Sequence, residues 1–393
     1  MTFPAARRFA AALAWALALA SAALAPAALA PAALGDPVRG PRPQPFDDAR
    51  VATPAGVRVE SWVEGLEAPW SLVFLPDGRA LVSERPGRIR LVADGRLAAE
   101  PVATLGVRQG GEGGLMGLAL DPGFPARPYL YAMHTHAEAG EVGNRVVRLV
   151  LEGDRARLDR VVLQGVPGAR FHNGGRLAFG PDGMLYVATG EIFDAPRAQV
   201  AADLGGKILR VTADGAVPPD NPLPGSPVWS LGHRNVQGLA FHPATGELFA
   251  SEHGPSGEFG LRALDEINLV RRGGNYGWPL AVGAPGDPRW VDPILAWPDE
   301  ATPPSGAAFW RGDLFVATLR SEALLRVRLE RGPGGWRATA VARGFAAGSR
   351  RPLGRLRDAV AGPDGALYLL TNNRDGRGRP RPGDDRILRL TAG

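Results

Sequence analysis

The hydrophobic and polar positions of this chain repeat one short phrase six times. In each copy an apolar residue leads into a turn, a short apolar strand follows, and a second strand comes after a break. The copy from Phe74 reads FLPDGRALVSERPGRIRLV, and the copy from Phe179 reads FGPDGMLYVATG. The six turns fall near residues 76, 121, 181, 243, 311 and 363. Helical periodicity is nearly absent after the N-terminal segment, so the pattern predicts an all-β protein.

The repeat predicts a six-bladed β-propeller. Pro-Asp-Gly presets a tight turn in which glycine takes the positive φ, and the spacing suits one four-stranded blade plus insertions. The segment VRVESWVEGL, from Val57 to Leu66, could add a strand to the final blade and close the ring. A β-sandwich or another all-β barrel is the alternative. Because propeller loops converge over the central channel, functional residues should be scattered along the chain where blades begin.

The first 56 residues do not share this pattern. Residues 1–35 contain no acid, two arginines, an apolar run from Phe9 to about Ala25, and then mostly small residues. This order is typical of a secretory signal peptide, with a transmembrane anchor as the alternative. Residues 36–56 are interpreted as a Pro-rich linker, which leaves 57–393 as the propeller domain. We therefore expect a periplasmic or secreted protein with no integral membrane segment after signal removal.

Composition narrows the classes of chemistry. The 393 residues include no cysteine, which excludes disulfides, thiolate metal sites and cysteine nucleophiles. The formal net charge is +5, but the charges are interspersed without a long basic run, so nucleic-acid binding is not expected. Lys207 is the sole lysine, so the other 44 of the 45 lysine and arginine residues are arginines. The sequence lacks the nucleophile-elbow, zincin, Walker and dinucleotide-binding motifs.

A histidine in a glycine-rich loop and several arginines are candidates for chemistry. His172 lies between Phe171 and a run of small residues that should leave its imidazole accessible for general-base work; a packing histidine fits the pattern equally. A polyanion-binding ring could be formed by Arg234, Asn235, Arg320, Arg355 and Arg357. Surface arginines in salt bridges are the alternative reading.

Two pairs of residues, one acidic and one of histidines, are possible metal ligands. Asp265 and Glu266 supply hard oxygen atoms beside glycine-rich loops with free carbonyls, a composition that suits Ca²⁺. Solvated acids at the start of a strand are the alternative. His134 and His136 lie two apart on a predicted strand and therefore on one face, where they form either a metal pair or ordinary packing of the blade.

Five segments together resemble the soluble pyrroloquinoline quinone (PQQ)-dependent glucose and aldose sugar dehydrogenases. They are HNGGRLAFGPDG from His172, LGHRNVQGLAFHP from Leu231, SEHGP from Ser251, DEINLV from Asp265 and GGNYGWP from Gly273. The resemblance runs from about residue 57 to the C-terminus. It implies an exported six-bladed propeller, a monomer or homodimer, that uses PQQ and Ca²⁺. The implied reaction oxidises aldoses at C1 to aldonolactones and passes electrons to a quinone or dye-like acceptor.

The resemblance also implies roles for individual residues. His172 resembles the base that takes the anomeric hydroxyl proton, Glu191 falls where the family has an aspartate that orients that histidine, and Arg234 resembles the arginine near the reactive quinone carbonyl. Further implied PQQ-binding residues are Glu112, Asn235, Arg320, Arg355, Arg357 and Asn372. The implied Ca²⁺ ligands are the Gly254 and Pro255 carbonyls near the quinone, and Glu266 with the Tyr276 carbonyl at a structural ion.

Five positions depart from the glucose enzymes, one of them being Glu191, which is one methylene longer than the family's aspartate. Glu112 stands where they have glutamine, and an extra carboxylate beside a tricarboxylate cofactor costs affinity unless it is protonated or directed at the sugar. Asn372 replaces an acid, Arg320 replaces a lysine, and Phe171 replaces a polar sugar contact. Glu112 and Asn372 support one rival, a non-catalytic propeller that binds glycans or proteins after losing the cofactor. A second rival, a calcium-dependent lactonase-like hydrolase, would need carboxylates that converge on a central metal.

Overall fold

A computed structural model describes residues 35–41, 47–51, 56–345 and 352–393. Apart from Gly35, the predicted signal peptide lies outside the described residues. Within the segment predicted as a linker, two short strands pair in parallel with the propeller: Val38–Arg39 with Ala281–Val282, and Asp47–Val51 with part of Gly335–Gly344. No helix among the described residues is both long enough and apolar enough to cross a bilayer.

Six mainly antiparallel sheets form the six predicted blades. The first blade comprises Pro69–Phe74, Ala80–Glu84, Arg88–Ala93, Arg96–Leu97 and Ala103–Thr104. The second comprises Leu115–Leu120, Tyr129–Glu138, Glu141–Glu152 and Arg155–Pro167. The third comprises Leu177–Phe179, Leu185–Ala188, Lys207–Val211 and Val228–Leu231.

The remaining blades follow in chain order. The fourth comprises Val236–Phe241, Leu248–Glu252, Asp265–Val270 and Leu295–Trp297. The fifth comprises Pro304–Trp310, Asp313–Thr318, Leu324–Gly332 and Gly335–Gly344. The sixth comprises Leu356–Ala361, Leu367–Thr371, Ile387–Ala392 and, from the other end of the chain, Val57–Val63. Two 3₁₀ turns, Ala195–Gln199 and Glu258–Gly260, lie in insertions of the third and fourth blades.

The N-terminal strand closes the ring, as the sequence predicts. Val57–Val63 is antiparallel to Ile387–Ala392, with Val57 opposite Ala392 and Val63 opposite Ile387. The first strand of each blade contacts the first strand of the next, and the sixth blade contacts the first in the same way. These inner strands surround the central channel. The closed ring excludes the β-sandwich alternative.

Apolar side chains hold neighbouring blades together. Each of the six junctions has its own buried cluster; Leu81, Leu115 and Leu130, for example, are fully buried between the first and second blades. Full burial of one leucine side chain contributes roughly 1.5–3 kcal/mol relative to exposure. Because every junction carries such a cluster, the blades form a rigid frame for the loops at the ends of the channel.

The repeated turn sets which end of the channel carries those loops. In each blade the phrase forms the hairpin between the first and second strands. In five of the six blades its glycine has a positive φ, such as +88° at Gly78 and +74° at Gly183; Gly123 of the second blade is the exception. The first strand runs towards this turn and the second runs back. The start of the first strand and the end of the second therefore share the opposite face of the ring.

Candidate active site

The predicted site residues converge on that opposite face. Glu112, His172, Arg234 and Arg355 come shortly before the first strands of four different blades. A second group of predicted residues follows shortly after the second strands of four blades: Glu191, Gly254, Pro255, Arg320 and Asn372. Residues as far apart in the chain as 112 and 372 thus meet at one end of the channel.

A cavity of about 480 Å³ opens at this face. Four predicted residues line it, namely Glu112, His172, Arg320 and Arg355. A second cavity of about 300 Å³ adjoins it, shares His253, Ser256, Pro303 and Arg320 with it, and includes Gly254 and Pro255. The first cavity has the size of an ordinary small-molecule site. Glu266 and Tyr276 line neither cavity.

His172 is oriented by Glu191 below the cavity. Its Nδ1 lies 2.6 Å from Oε1 of Glu191, and both side chains are buried. A carboxylate at this distance fixes the proton on Nδ1 and leaves Nε2 as a free acceptor. The ring of Phe193 stacks on the imidazole at 3.7 Å between centroids. The histidine is therefore held in one plane and one tautomer.

The glycines beside His172 serve packing rather than exposure. The sequence suggests that small neighbours leave the imidazole accessible, but only 4% of His172 is exposed. Gly174 has a φ of +63°, and a Cβ on it would lie 2.5 Å from the backbone of Thr189. These glycines let the loop press against the third blade, and His172 itself takes a φ of +53°. Such backbone strain in a non-glycine residue is characteristic of functional sites.

Arg234 is held by an acidic residue that the sequence analysis missed. Its Nε donates to Oε1 of Glu258 at 2.9 Å, and its guanidinium lies over the rings of Phe193 and Trp278 at 5.7 and 5.5 Å. Side-chain atoms of His172, Glu191 and Glu258 lie within 4.8 Å of one another. Burial opposes ionisation of Glu258, but Arg234 lowers its pKa below the ordinary value. The group is thus an ion network around Arg234.

Glu112 is an ionised residue with its own cationic partner. Its Oε2 accepts the backbone N–H of His172 at 2.9 Å, and its Oε1 pairs with Arg377 at 3.0 Å. Burial favours the neutral acid, but the interactions of Glu112 with His172, including its backbone N–H, and with Arg377 outweigh it and lower the pKa of Glu112 to about 2. The glutamate that replaces glutamine therefore brings a compensating arginine from the sixth blade.

Buried arginines lie beneath the cavity with too few carboxylates to balance them. Arg85, Arg355 and Arg357 are each at most 6% exposed. Asp375 accepts hydrogen bonds from Nε and Nη2 of Arg355 at 3.0 and 2.8 Å. The Nε atoms of Arg85 and Arg357 have no partner among the described residues. Burial and the charge of Arg85 lower the pKa of Arg357 to about 9. The cluster is short of negative charge.

Two predicted cofactor residues are buried amides beside this cluster. The Nδ2 of Asn372 donates to Asp375 at 3.2 Å, so Asp375 supplies an acid three residues after the position where the glucose enzymes have one. The Oδ1 of Asn372 and the Nδ2 of Asn235 have no partner among the described residues. Asn235 accepts the backbone N–H of Gly174 at 3.1 Å through Oδ1. Both side chains keep an unused polar atom.

The loop of Gly254 and Pro255 is fixed from below by Asp265. The carboxylate of Asp265 accepts the backbone N–H groups of Gly254 and Thr302 at 3.0 and 2.7 Å, and burial raises its pKa to about 6. His253, which precedes the loop, lines both cavities. Burial lowers the pKa of His253 to about 3, so its ring is neutral.

Glu266 belongs to a separate acidic group. Its Oε2 lies 3.3 Å from Nδ2 of Asn268, which also lies 3.2 Å from Oε2 of Glu252. Although Glu266 keeps some solvent exposure, protein atoms surround its carboxylate. Burial and the nearby Glu252 raise its pKa well above the ordinary value. Oδ1 of Asn268 has no partner among the described residues, so this pocket is rich in oxygen ligands and poor in cations.

Sequence reasoning missed several residues of the site. They are Arg85, Phe193, His253, Glu258, Asp375 and Arg377. One positional signal was available for two of them, because Arg85 and His253 directly follow the second strands of their blades. Glu258 and Arg377 lie in insertions, where the repeated phrase gives no guide.

Comparisons with known proteins agree with this arrangement. The family model for glucose/sorbosone dehydrogenases matches residues 66–388. Aldose sugar dehydrogenase YliI of Escherichia coli is 32% identical over 84% of this chain and 94% of its own length. The PQQ-bound aldose sugar dehydrogenase of Streptomyces coelicolor is 41% identical, covering 86% of this chain and 99% of its own, with a TM-score of 0.76.

A second solved structure is more similar still. A Thermus thermophilus protein assigned as an oxidoreductase of the glucose dehydrogenase type is 57% identical, with a TM-score of 0.80, and the match covers 86% of this chain and all of that one. The resemblance read from the sequence motifs is therefore confirmed. The chain is an oxidoreductase that belongs to the glucose/sorbosone dehydrogenase family.

Proposed function

We propose that the protein is a PQQ- and calcium-dependent aldose dehydrogenase that converts the C1 hydroxyl of an aldose to an aldonolactone. One observation carries the proposal. A histidine base with a free Nε2 stands at a cavity whose buried arginines lack enough carboxylates. A base alone fits many enzymes, but a base above surplus buried guanidinium groups fits one that works on a bound polyanion.

The chemistry of the donor set fits PQQ. The cofactor carries three carboxylates, and guanidinium groups bind carboxylates in paired, charge-assisted hydrogen bonds. The unpartnered Nε atoms of Arg85 and Arg357 and the unused amide atoms of Asn235 and Asn372 are donors and acceptors of this kind. Arg320, exposed and without an ion pair among the described residues, would complete the ring at the rim.

Calcium fits two places that differ in donor chemistry. Near the cavity, the Gly254 and Pro255 carbonyls lie in a loop that Asp265 holds by its backbone. Away from it, Glu266 offers a carboxylate with a raised pKa beside an unpartnered amide oxygen, and the Tyr276 carbonyl would complete a structural site. Hard oxygen ligands of this kind suit Ca²⁺.

When bound, PQQ would supply an ortho-quinone that accepts the C1 hydride, and Ca²⁺ would supply Lewis acidity. The protein's own part is positioning and proton transfer. Nε2 of His172 would accept the anomeric hydroxyl proton, and Glu191 would stabilise the imidazolium that results. Arg234, fixed by Glu258, would place positive charge where negative charge develops. Phe171, which lies between Arg170 and Arg377, offers the sugar an apolar surface rather than a polar contact.

We also propose export and an electron acceptor outside the cytoplasm. The support is the signal-peptide pattern of residues 1–35. A quinone or dye-like acceptor would reoxidise the cofactor, since the sequence has no nicotinamide-binding motif. The preferred substrate would be an aldose, without strict selection for glucose, because Phe171 removes a polar contact that the glucose enzymes have.

The test is reconstitution of the metal-free apo protein with PQQ and Ca²⁺. Dye reduction is then followed with several aldoses. We expect activity that needs both additions. His172→Ala should lower turnover by about 10²–10⁴-fold while PQQ still binds, measured by its absorbance on the protein. His242→Asn is the matched control, because His242 lies at a hairpin turn on the opposite face of the ring.

Three outcomes would count against the proposal. PQQ uptake without dye reduction by any aldose would favour the non-catalytic binding propeller. Near-wild-type turnover in His172→Ala would refute the base assignment. Lactone hydrolysis without PQQ would favour the hydrolase; Arg234 argues against that rival, because it already compensates Glu258, a carboxylate that a central metal would need.

A further inference from the structure

A lateral groove on the second blade lies beside the cavity, and three arginines, Arg108, Arg145 and Arg170, are among the residues that line it. It consists of two depressions of about 350 and 430 Å³ that share Arg108. Arg170 lines the first depression, and Arg145 and His136 line the second. The groove and the cavity lie on either side of the same two segments: Gly111 and Arg170 line the groove, while the residues that follow them, Glu112 and Phe171, line the cavity.

The arginines of the lateral groove are not neutralised. No carboxylate of the described chain forms an ion pair with Arg108, Arg145 or Arg170. Elsewhere most arginines are paired: Arg148, on the same strand as Arg145, contacts both Asp159 and Asp214 at 2.6 Å. The only acid among the described residues that line the groove is Glu138.

Among the described residues, Arg145 and Arg170 of the groove contact only uncharged side chains, so their positive charges remain available to bind an anion. Nε of Arg145 donates to Nε2 of His134 at 3.2 Å. Burial lowers the pKa of His134 to about 4, so this partner is a neutral imidazole. Arg170 lies 5.3 Å from the ring centroid of Phe171, a contact that orients a guanidinium without cancelling its charge. Arg108 is shared by both depressions, and so stands at the centre of the positive surface.

We propose that the lateral groove binds the carboxylate, sulfate or phosphate group of an acidic saccharide whose reducing end lies beside His172. This inference rests on the proposed function. Guanidinium groups recognise such anions through paired hydrogen bonds. An anionic electron acceptor carries the same chemistry, but a saccharide is favoured because only the segments of Glu112 and Phe171 lie between the groove and the base that must meet C1, so one sugar chain could cross them.

The test compares two disaccharides that differ by one carboxylate. Cellobiose is neutral, and its analogue with a glucuronic acid in place of the non-reducing glucose is acidic. With a neutral quinone acceptor at low salt, Arg108→Ala should lower kcat/KM for the acidic disaccharide by about fivefold, the equivalent of one exposed charge pair, and Arg108→Glu should lower it further. Values for cellobiose should stay unchanged. Arg155→Ala is the control, at an exposed arginine on the outer edge of the same blade that has no ion pair among the described residues.

A binding measurement separates this inference from the proposed function. Calorimetric titration of the PQQ-free protein with the acidic disaccharide should show binding that weakens in Arg108→Glu and with added salt. Equal affinity in wild type and Arg108→Glu, or equal kinetic effects on both disaccharides, would overturn the proposal. So would an effect confined to the KM of ferricyanide, an anionic acceptor. If no sugar were oxidised, the proposed function would fail, while the titration would still decide the groove.

Discussion

Replacing Glu112 by glutamine should expose how much the ionised carboxylate contributes to stability. The variant keeps the shape of the side chain and removes its charge. The pKa of Glu112 falls from 4.5 to about 2 in the folded protein, and 2.5 pKa units correspond to about 3 kcal/mol. Because the folded-state pKa is depressed, this stability is present above the unfolded pKa of 4.5 and is lost as the pH falls towards 2. Since 20% of the side chain is exposed, solvent screening makes the figure an upper bound.

The assay is chemical denaturation of wild type and Glu112→Gln between pH 3 and pH 6.5. The difference in unfolding free energy should approach about 3 kcal/mol at pH 6 and fall to about 1.4 kcal/mol at pH 3. Glu100→Gln, at an exposed glutamate without an ion pair among the described residues, should show almost no difference at any pH. A difference for Glu112→Gln that does not change with pH, or a variant more stable than wild type, would refute the assigned pKa and the role of Arg377.

Three further predictions concern the interior of the site and the third blade. Glu191→Gln should lower turnover by at least about 10²-fold in steady-state kinetics while PQQ affinity stays within about twofold, because the carboxylate orients His172 and does not reach the cavity; equal losses of turnover and affinity would contradict this. Arg357→Met should raise the melting temperature of the apo protein, because it removes a buried, incompletely paired cation, and should lower PQQ affinity by about tenfold or more; a lower melting temperature with unchanged affinity would contradict this. The amine of Lys207 donates to the Gly205 and Arg197 carbonyls at 2.7 and 2.8 Å, and Lys207 is fully buried. An amine-reactive ester should therefore label the N-terminus alone in native protein and reach Lys207 only after unfolding, as read by mass spectrometry; rapid labelling of Lys207 in the folded state would contradict its burial.

The fold was predictable because its signal is local and repeated. Each copy of the repeated turn phrase predicts its own hairpin, and six copies at blade-like spacing predict a ring. The segment from Val57 to Leu66 could be assigned to the last blade because a strand added there closes the ring and protects the edges of the sheets. These inferences need only the order of apolar and turn residues.

The site was predictable in part from residue types and further from the resemblance. His172 and Arg234 were candidates from their residue types and loops, the resemblance added Glu191, and the structure brings the three together. The partners Arg377 and Glu258 could not be found in this way, because each depends on where an insertion from one blade meets a loop from another. No spacing rule in the sequence links Glu112 to Arg377. Even the glycines of the His172 loop were misread, since their role in close packing depends on the position of Thr189.

Hydrogen bonding between the first and last strands has a consequence for biosynthesis. Residues 387–392 leave the ribosome long after residues 57–63, and until they emerge the segment 57–63 lacks its partner strand. The cavity is lined by residues from Glu112 to Arg377. It therefore cannot form in a chain that stops before residue 387. A stop codon just before the codon for residue 387 should therefore abolish activity as completely as one just after the codon for residue 63, because neither fragment closes the ring.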